Sequence, residues 1–393
     1  MFSVENFYYV LYNNLLKPCN IQAGLFSPFG STDPADLRYS HLESNGHNVG
    51  HMEMYKQCLF WDQEPLFTKS FDSVALSPSH YAKFFSHYHC KILANSEYSD
   101  IKNKICKEYK FLDFYYFYHG FASLDWFRDY RYLNKTNTFD KVFITLNRLC
   151  TKERSYRLTL VSLLSEKRLL DHGHVSLHYT SKPNRSLKEE LFASDCLISK
   201  ESKKLIYKEL FVRNENFIAD FEEVKGYASA GFDHKLLTSA LWHVVTETIF
   251  YHKKIHLTEK IFKPIVNFRP FILVASPGNL QYLKDYGFKT FDKWIDESYD
   301  VEQDPDERLK KITREIEKLC NLSKQRLNQM FDEMQDVLEH NFNHFYGEFK
   351  NIISQELVDN FESCLIQWNN GRVNHQFDLS EFNFDKIKQR ISA

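Results

Sequence analysis

The stretch HLTEKIFKPIVNFRPFILVAS (residues 256–276) decides the fold class, because it joins a predicted helix to a predicted buried strand. Residues 260–266 have the pattern of a short helix, and FRPFILVAS has the apolar run of a strand that is buried on both faces. Pro264 lies inside the predicted helix, so we expect it to kink or shorten that helix. A helix that leads into a buried strand is typical of an α/β layer.

The segments on either side continue this alternation of strands and helices. The run SALWHVVTETIF (239–250) fits a strand or a helix, and its periodicity does not decide between them. The pattern predicts strands at KVFITLNRL (141–149) and HVSLHYTS (174–181). It predicts helices at 155–169, KKLIYKELF (203–211) and PGNLQYLKDYGF (277–288). In the last of these helices, Gly287 is expected at the C′ position. This order predicts a parallel sheet with helices on its faces.

The pattern of residues along the chain predicts three regions. Residues 1–138 carry short apolar runs broken by turn residues, and we expect an N-terminal α/β domain there. Residues 139–304 form the second predicted α/β domain, and residues 305–393 a long amphipathic helical extension that packs back on the domains. We therefore predict two Rossmann-like domains that face a cleft, where small ligands usually bind.

The overall composition excludes several classes of protein. With 43% hydrophobic residues, the 393-residue chain buries sizeable cores and is globular. A net charge of −2 gives no general argument for binding nucleic acid, although it leaves room for a local basic groove. Phe and Tyr (35 and 23) are abundant while Gly and Pro (12 and 10) are scarce, which is typical of an AT-rich genome such as that of a phage, a virus or a low-GC bacterium.

The eight cysteines are scattered and show no C-x-x-C pair, so we expect reduced thiols. The N-terminus lacks a signal-peptide pattern, and no run of 18 apolar residues is present. A cytoplasmic protein, in the host cytoplasm if it is viral, is the resulting expectation. Histidines cluster at 87–89 and 172–178 without a second ligand pair at zinc spacing, so we predict neither a metal site nor a cofactor.

The first candidate site is Thr258-Glu259-Lys260 together with Lys263. Thr258 is a competent helix N-cap, and the N–H groups of a helix N-terminus attract phosphate. The two lysines add positive charge at the same place. An ordinary helix start has the same pattern, so this stretch alone does not establish a phosphate site.

A second candidate lies where the predicted strand 141–149 ends and a helix begins. Asn147, Arg148, Arg154 and Arg157 occur together there, at the edge of an α/β sheet where ligands bind. Guanidinium groups hold diphosphate oxygens in a bidentate manner. A solvated basic helix face is the alternative interpretation.

A third candidate is FWDQEPLF (60–67), which places Asp62 and Glu64 among aromatic residues and a proline. Partial removal of water raises a carboxyl pKa toward the range useful to a general base. The alternative is a turn with exposed acids. Either residue is thus a candidate base for a catalysed reaction.

Taken together, these segments resemble a known family. The second half of the chain is similar to the C-terminal domain of GT-B glycosyltransferases, nearest to their fucosyltransferase-like and exostosin-like groups. The similarity lies in the order of three segments: LNR…R after a strand, then TETIF (246–250), then residues 256–291. The similarity covers about residues 140–300, and WIDESYD (294–300) is like an extension in phage and viral members. Residues 267–270 depart from the small-residue turn of fucosyltransferases, which leaves the donor undetermined.

The resemblance implies a metal-independent and inverting transfer of a hexose or pentose from a nucleotide-sugar, a GDP- or UDP-sugar, to an acceptor hydroxyl. It implies that Arg157 and Lys260 contact the diphosphate, and that Glu247 and Glu259 hold the ribose or the sugar. The N-terminal domain would hold the acceptor, with Asp62 or Glu64 as base.

Two alternatives to a glycosyltransferase that acts on a glycan remain open. A phage-type enzyme that glycosylates a hydroxymethylpyrimidine base of DNA fits the AT-rich composition, but it requires a basic groove and a flipped base. A non-catalytic protein that binds nucleotide-sugars or glycans would keep the binding residues and lack turnover. The sequence leaves the oligomeric state undetermined.

Overall fold

The computed structural model describes residues 11, 13, 22–26, 58–62, 90–132, 135, 138–179, 186–211, 219, 233–371, 385 and 389. The chain divides into two compact units. The first unit comprises Met1–Asp125 and Glu348–Ala393, and the second unit comprises Trp126–Gly347. The limits of these units do not coincide with the predicted domain boundaries after residues 138 and 304. The predicted helical extension is divided between the units: residues 305–347 belong to the second unit and residues 348–393 to the first.

The first unit contains a four-stranded parallel sheet in the order β1-β2-β3-β5. Its elements are β1 (Gln22–Phe26), β2 (Cys58–Asp62), β3 (Cys90–Asn95), β4 (Tyr98–Ser99), α1 (Asp100–Tyr109), β5 (Leu112–Tyr115) and α2 (Tyr118–Trp126), with α12 (Glu348–Gly371) at the other end of the chain. Helix α12 packs on β5, where Asn360 Nδ2 donates to the carbonyl of Tyr115 over 3.1 Å. The predicted α/β class of this region is confirmed.

The second unit contains a second parallel sheet, with the order β10-β8-β6-β7. Its strands are β6 (Lys141–Asn147), β7 (Gly173–Leu177), β8 (Ala240–Thr246) and β10 (Phe271–Val274), and β9 (Lys254–Ile255) lies outside this sheet. All seven residues of β8 are buried, which explains why the sequence shows no period there. The open choice between strand and helix for residues 240–246 is thereby settled as a strand.

The strand order of this sheet reverses between β6 and β8. From β6 the chain passes through a helix to β7 on one side, and from β8 it passes to β10 on the other side. Loops that leave the carboxyl ends of two such strands diverge and open a crevice between them. Ligands of open α/β sheets bind at this topological switch point.

The helices of the second unit agree with most of the predicted segments. They are α3 (Tyr156–Glu166), α4 (Leu187–Phe192), α5 (Lys200–Ile206), α6 (His234–Thr238), α7 (Phe262–Val266), α8 (Asn279–Asp285), α9 (Pro305–Cys320), α10 (Lys324–Glu333) and α11 (Gln335–Tyr346). Gly287 has a φ of +91°, so its predicted C′ position after α8 is confirmed. Within the described part of the chain, no helix has both the length and the apolarity required to cross a bilayer.

The helix predicted over residues 260–266 begins later than expected. Residues 259–261 form a turn, and α7 runs only from Phe262 to Val266. Pro264 is the third residue of α7, where the absent N–H removes no hydrogen bond of the helix. The proline therefore fits the shortened helix, which is one of the two outcomes expected from the sequence.

Candidate functional site

The carboxyl ends of β6 and β8 are tied together at the switch point by side chains. Asn147 ends β6 and Thr246 ends β8, and the Thr246 hydroxyl donates to Asn147 Oδ1 over 2.8 Å. The amide of Asn147 in turn donates to Thr145 Oγ1 over 3.2 Å. Both linking residues are buried. The predicted site residue Asn147 therefore lies at the edge of the sheet where open α/β folds bind their ligands, and it links the two strands.

Glu247 follows β8 directly and is completely buried. Its carboxylate accepts hydrogen bonds from Thr258 Oγ1 (2.6 Å), from Thr258 N (3.2 Å) and from Thr248 N (3.2 Å). These bonds hold the turn before α7 against the carboxyl end of β8. Glu247 and Thr258, which the sequence predicts as parts of one site, are brought together by this contact.

Lys260 provides the positive charge of the site. Its Nζ lies 2.9 Å from Thr258 Oγ1, 3.5 Å from Thr248 Oγ1 and 3.2 Å from Glu259 Oε1. The lysine side chain is 32% exposed, whereas that of Glu259 is only 5% exposed. The ammonium group is thus held by hydroxyls at the switch point and still reaches solvent, as an anion-binding lysine requires.

The helix N-terminus contributes less than the sequence suggested. Because α7 has five residues and its N-cap, Ile261, makes no side-chain capping bond, the predicted N-cap role of Thr258 is wrong. Thr258 Oγ1 instead accepts from Lys260 N at 3.4 Å within the preceding turn. A helix this short has few aligned peptide dipoles. The positive charge at this site therefore comes from side chains such as Lys260 and not from a helix dipole.

Arg157 lies on α3 and is buried, with 3% of its surface exposed. Its Nη1 donates to the carbonyl of Leu149 at 2.8 Å, and its Nη2 donates to those of Thr246 (2.8 Å) and Glu247 (3.1 Å). The guanidinium therefore joins the loop after β6 to the loop after β8. This geometry gives Arg157 a positioning role, and direct contact with a diphosphate stays a prediction.

The neighbouring residue Tyr156 strengthens the same connection. Its hydroxyl donates to the carbonyl of Glu247 over 2.7 Å. Burial raises the pKa of this hydroxyl to about 12, against the opposing charges of Arg157 and Arg154. The phenol therefore remains protonated and acts as a donor. Arg154 is the last residue of the 3₁₀ helix Lys152–Arg154, which directly precedes α3.

The remaining predicted residues are more dispersed. Arg148 is exposed immediately after β6, and Lys263 is half-buried on α7. Burial lowers the pKa of His243 to about 3, and the positive charge of Lys263 adds to this shift.

Asp62 is the last residue of β2 and pairs in register with Asn95 of β3, whereas Glu64 lies outside the described residues. The proposed role of the two acids as catalytic base stays a prediction.

The structure adds a pair of residues that the sequence did not indicate. Glu153 Oε1 lies 2.7 Å from His252 Nε2, and the two residues are 1% and 31% exposed. Glu153 belongs to the loop after β6 and His252 to the segment after β8. The sequence does not predict this contact, because the two residues are far apart in the chain and neither belongs to a recognised motif.

Helix α9 holds the segment after β8 from another side. Arg308 is buried and donates from Nη2 to the carbonyl of Phe250 over 2.6 Å. Its guanidinium also lies over the Phe250 ring at 4.1 Å, and the Tyr156 ring stacks on that ring at 4.1 Å. The segment from Glu247 to His252 is therefore fixed at several points.

The described residues contain no candidate metal site. Across the described residues, no group of three or more His, Cys, Asp or Glu is arranged to hold a metal ion. His87 and His89, which the sequence places beside a cysteine, lie outside the described ranges. Among the described residues, the polar groups at the switch point include the hydroxyls of Thr248 and Thr258 and the partly exposed ammonium of Lys260.

Comparison of the chain with known proteins gives no match to a family model, to a curated protein or to a solved structure. The geometry of the switch point is therefore the observation from which a function is inferred.

Proposed function

We propose that the second unit binds the diphosphate of a nucleotide-sugar and that the protein is a glycosyltransferase of the GT-B type. The observation that carries this proposal is the position of Lys260. Its partly exposed ammonium group is held by Thr258, which the buried Glu247 fixes to the carboxyl end of β8. An anion that enters the crevice of the switch point meets this charge.

The chemistry of glycosyl transfer explains why such a charge is useful. The sugar passes through an oxocarbenium-like state, and negative charge accumulates on the departing diphosphate. Donors fixed in advance at the place where this charge develops stabilise the transition state without reorganisation. Lys260 is fixed in this way, because its three oxygen neighbours belong to residues that are themselves buried.

The acceptor hydroxyl requires a base for an inverting reaction. We assign this role to Asp62 or Glu64 of the first unit, with a glycan as the acceptor. The position of Asp62 at the carboxyl end of β2 supports this assignment, because that edge of a parallel sheet is the usual location of catalytic residues. The donor is a GDP- or UDP-sugar, and Lys260 with its neighbours takes the charge-neutralising role of a metal ion.

A thermal-shift screen against GDP, UDP, CMP and dTDP sugars tests the proposed donor site. A ligand that binds only the folded state stabilises it by RT ln(1 + [L]/Kd), so the nucleotide with the lowest dissociation constant is expected to stand out. At a hundredfold excess over the dissociation constant the gain is about 2.7 kcal/mol. The same concentrations of the free sugars are the control. A uniform absence of stabilisation would contradict the proposal.

Assays of sugar transfer distinguish a glycan glycosyltransferase from a DNA-modifying enzyme and from a non-catalytic binding protein. The preferred donor is incubated with oligosaccharides and, separately, with duplex DNA that contains hydroxymethylated pyrimidines, and release of the nucleoside diphosphate is measured. Transfer to oligosaccharides is expected. Transfer to DNA alone would establish the base-modifying enzyme, and binding with neither transfer nor donor hydrolysis would establish a non-catalytic protein.

A further inference from the structure

A cavity of about 340 Å³ lies in the second unit, beside the residues that precede β6. This volume is in the range of sites that bind small molecules. Two aromatic and four polar residues line it: Thr138, Phe139, Lys324, Asn328, Phe331 and Asp332. Strand β6 has seven residues and runs from this end of the sheet to the switch point, a length of roughly 20 Å. The cavity is therefore separate from the proposed donor site.

The floor of the cavity is aromatic and is held in place by other residues. Phe139 and Phe331 are buried, and their rings meet edge to face with centroids 6.5 Å apart. The guanidinium of the buried Arg269 lies over the Phe331 ring at 5.3 Å, and its Nη2 donates to the carbonyl of Thr138 over 3.4 Å. These contacts fix the floor in advance, which lowers the cost of binding a ligand there.

The polar rim of the cavity is a row of three residues along α10. Lys324, Asn328 and Asp332 follow one another at intervals of four residues, and all three are exposed. Residues four apart on a helix are neighbours on one face, and eight residues span about 12 Å. The row thus has an ammonium group at one end, an amide in the middle and a carboxylate at the other end. A ligand that contacts all three is elongated and carries several polar groups.

The two charges of this row are without ion-pair partners among the described residues. The Lys324 ammonium lies 3.3 Å from the centroid of the Phe139 ring and donates to the Phe139 carbonyl. Partial burial of the ammonium lowers the pKa of Lys324, and Asp140 opposes this effect without forming an ion pair. An anionic group of a ligand therefore gains a charge-assisted hydrogen bond at Lys324 and displaces no carboxylate from it.

We propose that this cavity, which we call the α10 site, binds an acidic disaccharide. The carboxylate of a uronic acid pairs with the Lys324 ammonium, and hydroxyls of the sugar rings bind the Asn328 amide and donate to the Asp332 carboxylate. The apolar faces of the rings lie toward the aromatic floor. One sugar ring is about as long as one helix turn, so two rings match the row, which spans about two turns.

The geometry of the rim favours a sugar over a peptide. Its three side chains are each able to bind a hydroxyl and recur at a regular interval, as the hydroxyls of linked sugar rings do. An extended peptide is instead bound chiefly through its main chain, along the edge of a strand. The α10 site is formed by a helix and by the segment before β6, and its occupation is independent of the proposed donor site.

The test is an NMR titration of two disaccharides of the same shape with the full-length protein. They are cellobiose and its analogue in which the non-reducing glucose is replaced by glucuronic acid. The acidic sugar is expected to bind about tenfold more tightly, because it adds one charge-assisted hydrogen bond. Lys324→Met is expected to remove this preference for the acidic sugar.

A pair of tryptophan variants keeps the test valid even if Lys324→Met is poorly folded. Asn328→Trp fills the middle of the row from an exposed position and is expected to abolish binding of both sugars. Gln325→Trp places the same side chain on α10 outside the cavity and is expected to bind as the wild type does. Nucleotide binding, which reports on the donor site, is expected to be equal in the two variants.

Two results would overturn the α10 site. One is failure of the wild type to bind either sugar, and the other is equal sugar binding by Asn328→Trp and Gln325→Trp. Binding of a tetra-aspartate peptide in place of the sugars would overturn the assignment to a disaccharide. None of these results bears on the donor site, because nucleotide binding is measured separately.

Discussion

Glu247→Ala is expected to lower the melting temperature by roughly 6–12 °C, which corresponds to about 3 kcal/mol for a unit of this size. The buried carboxylate accepts three hydrogen bonds from Thr258 and Thr248, and its removal leaves those donors unsatisfied inside the protein. Each buried donor left without a partner costs about 1–3 kcal/mol. The shift is measured by differential scanning calorimetry on the ligand-free protein.

The same variant is expected to lose nucleotide binding by at least about a hundredfold, an order set by the loss of one or two charge-assisted contacts. Without Glu247, Thr258 no longer holds Lys260 at the end of β8. Glu339→Ala removes an exposed carboxylate from α11 and is the matched control, for which both quantities are expected to stay near wild type. If Glu247→Ala kept the wild-type affinity, the turn before α7 would have no part in the site.

Arg157→Lys is expected to lower the stability of the protein nearly as much as Glu247→Ala does, even though it preserves the positive charge. One ammonium group does not span the carbonyls of Leu149, Thr246 and Glu247 as the planar guanidinium does. We expect a loss of about 2–4 kcal/mol, because buried carbonyls then lack donors. Calorimetry in the absence of ligand measures this change, and Arg314→Lys on the exposed face of α9 is the control.

This experiment also separates the two roles of Arg157. A positioning residue lowers the stability of the ligand-free protein, and it weakens nucleotide binding only through the loops that it holds. A residue whose main role is to contact the diphosphate would leave the ligand-free melting temperature unchanged while the affinity falls. The second pattern would support the role that the family resemblance implies and would contradict the positioning role.

The fold class was predictable because long segments of the second unit have clear patterns. Strand β6, helix α3 and the C′ glycine of α8 all follow from local sequence, since each is determined by residues close in the chain. The start of α7 was not predictable. There the hydrogen bonds of Thr258 to Glu247, eleven residues earlier, favour a turn over a helix cap.

The candidate site was predictable in part, for a related reason. The sequence places Asn147 and Arg157 near one strand end, but only the packing shows that Arg157 is buried against backbone carbonyls while Arg148 is exposed. The contact of Glu153 with His252 joins loops that are neighbours only because β6 and β8 pair. Such contacts depend on strand order, which local patterns do not determine.

A titration of the preferred nucleoside diphosphate into the wild type, Lys260→Ala and Lys289→Ala tests the central claim most directly. Lys260 is partly exposed, so its removal is expected to leave the melting temperature within a few degrees of wild type. The affinity is expected to fall about ten- to a hundredfold, as when a charge-assisted contact is lost. Lys289, an exposed lysine after α8, is the control and is expected to have no effect. Equal affinity of Lys260→Ala and the wild type, measured by calorimetry, would contradict a donor site at the switch point.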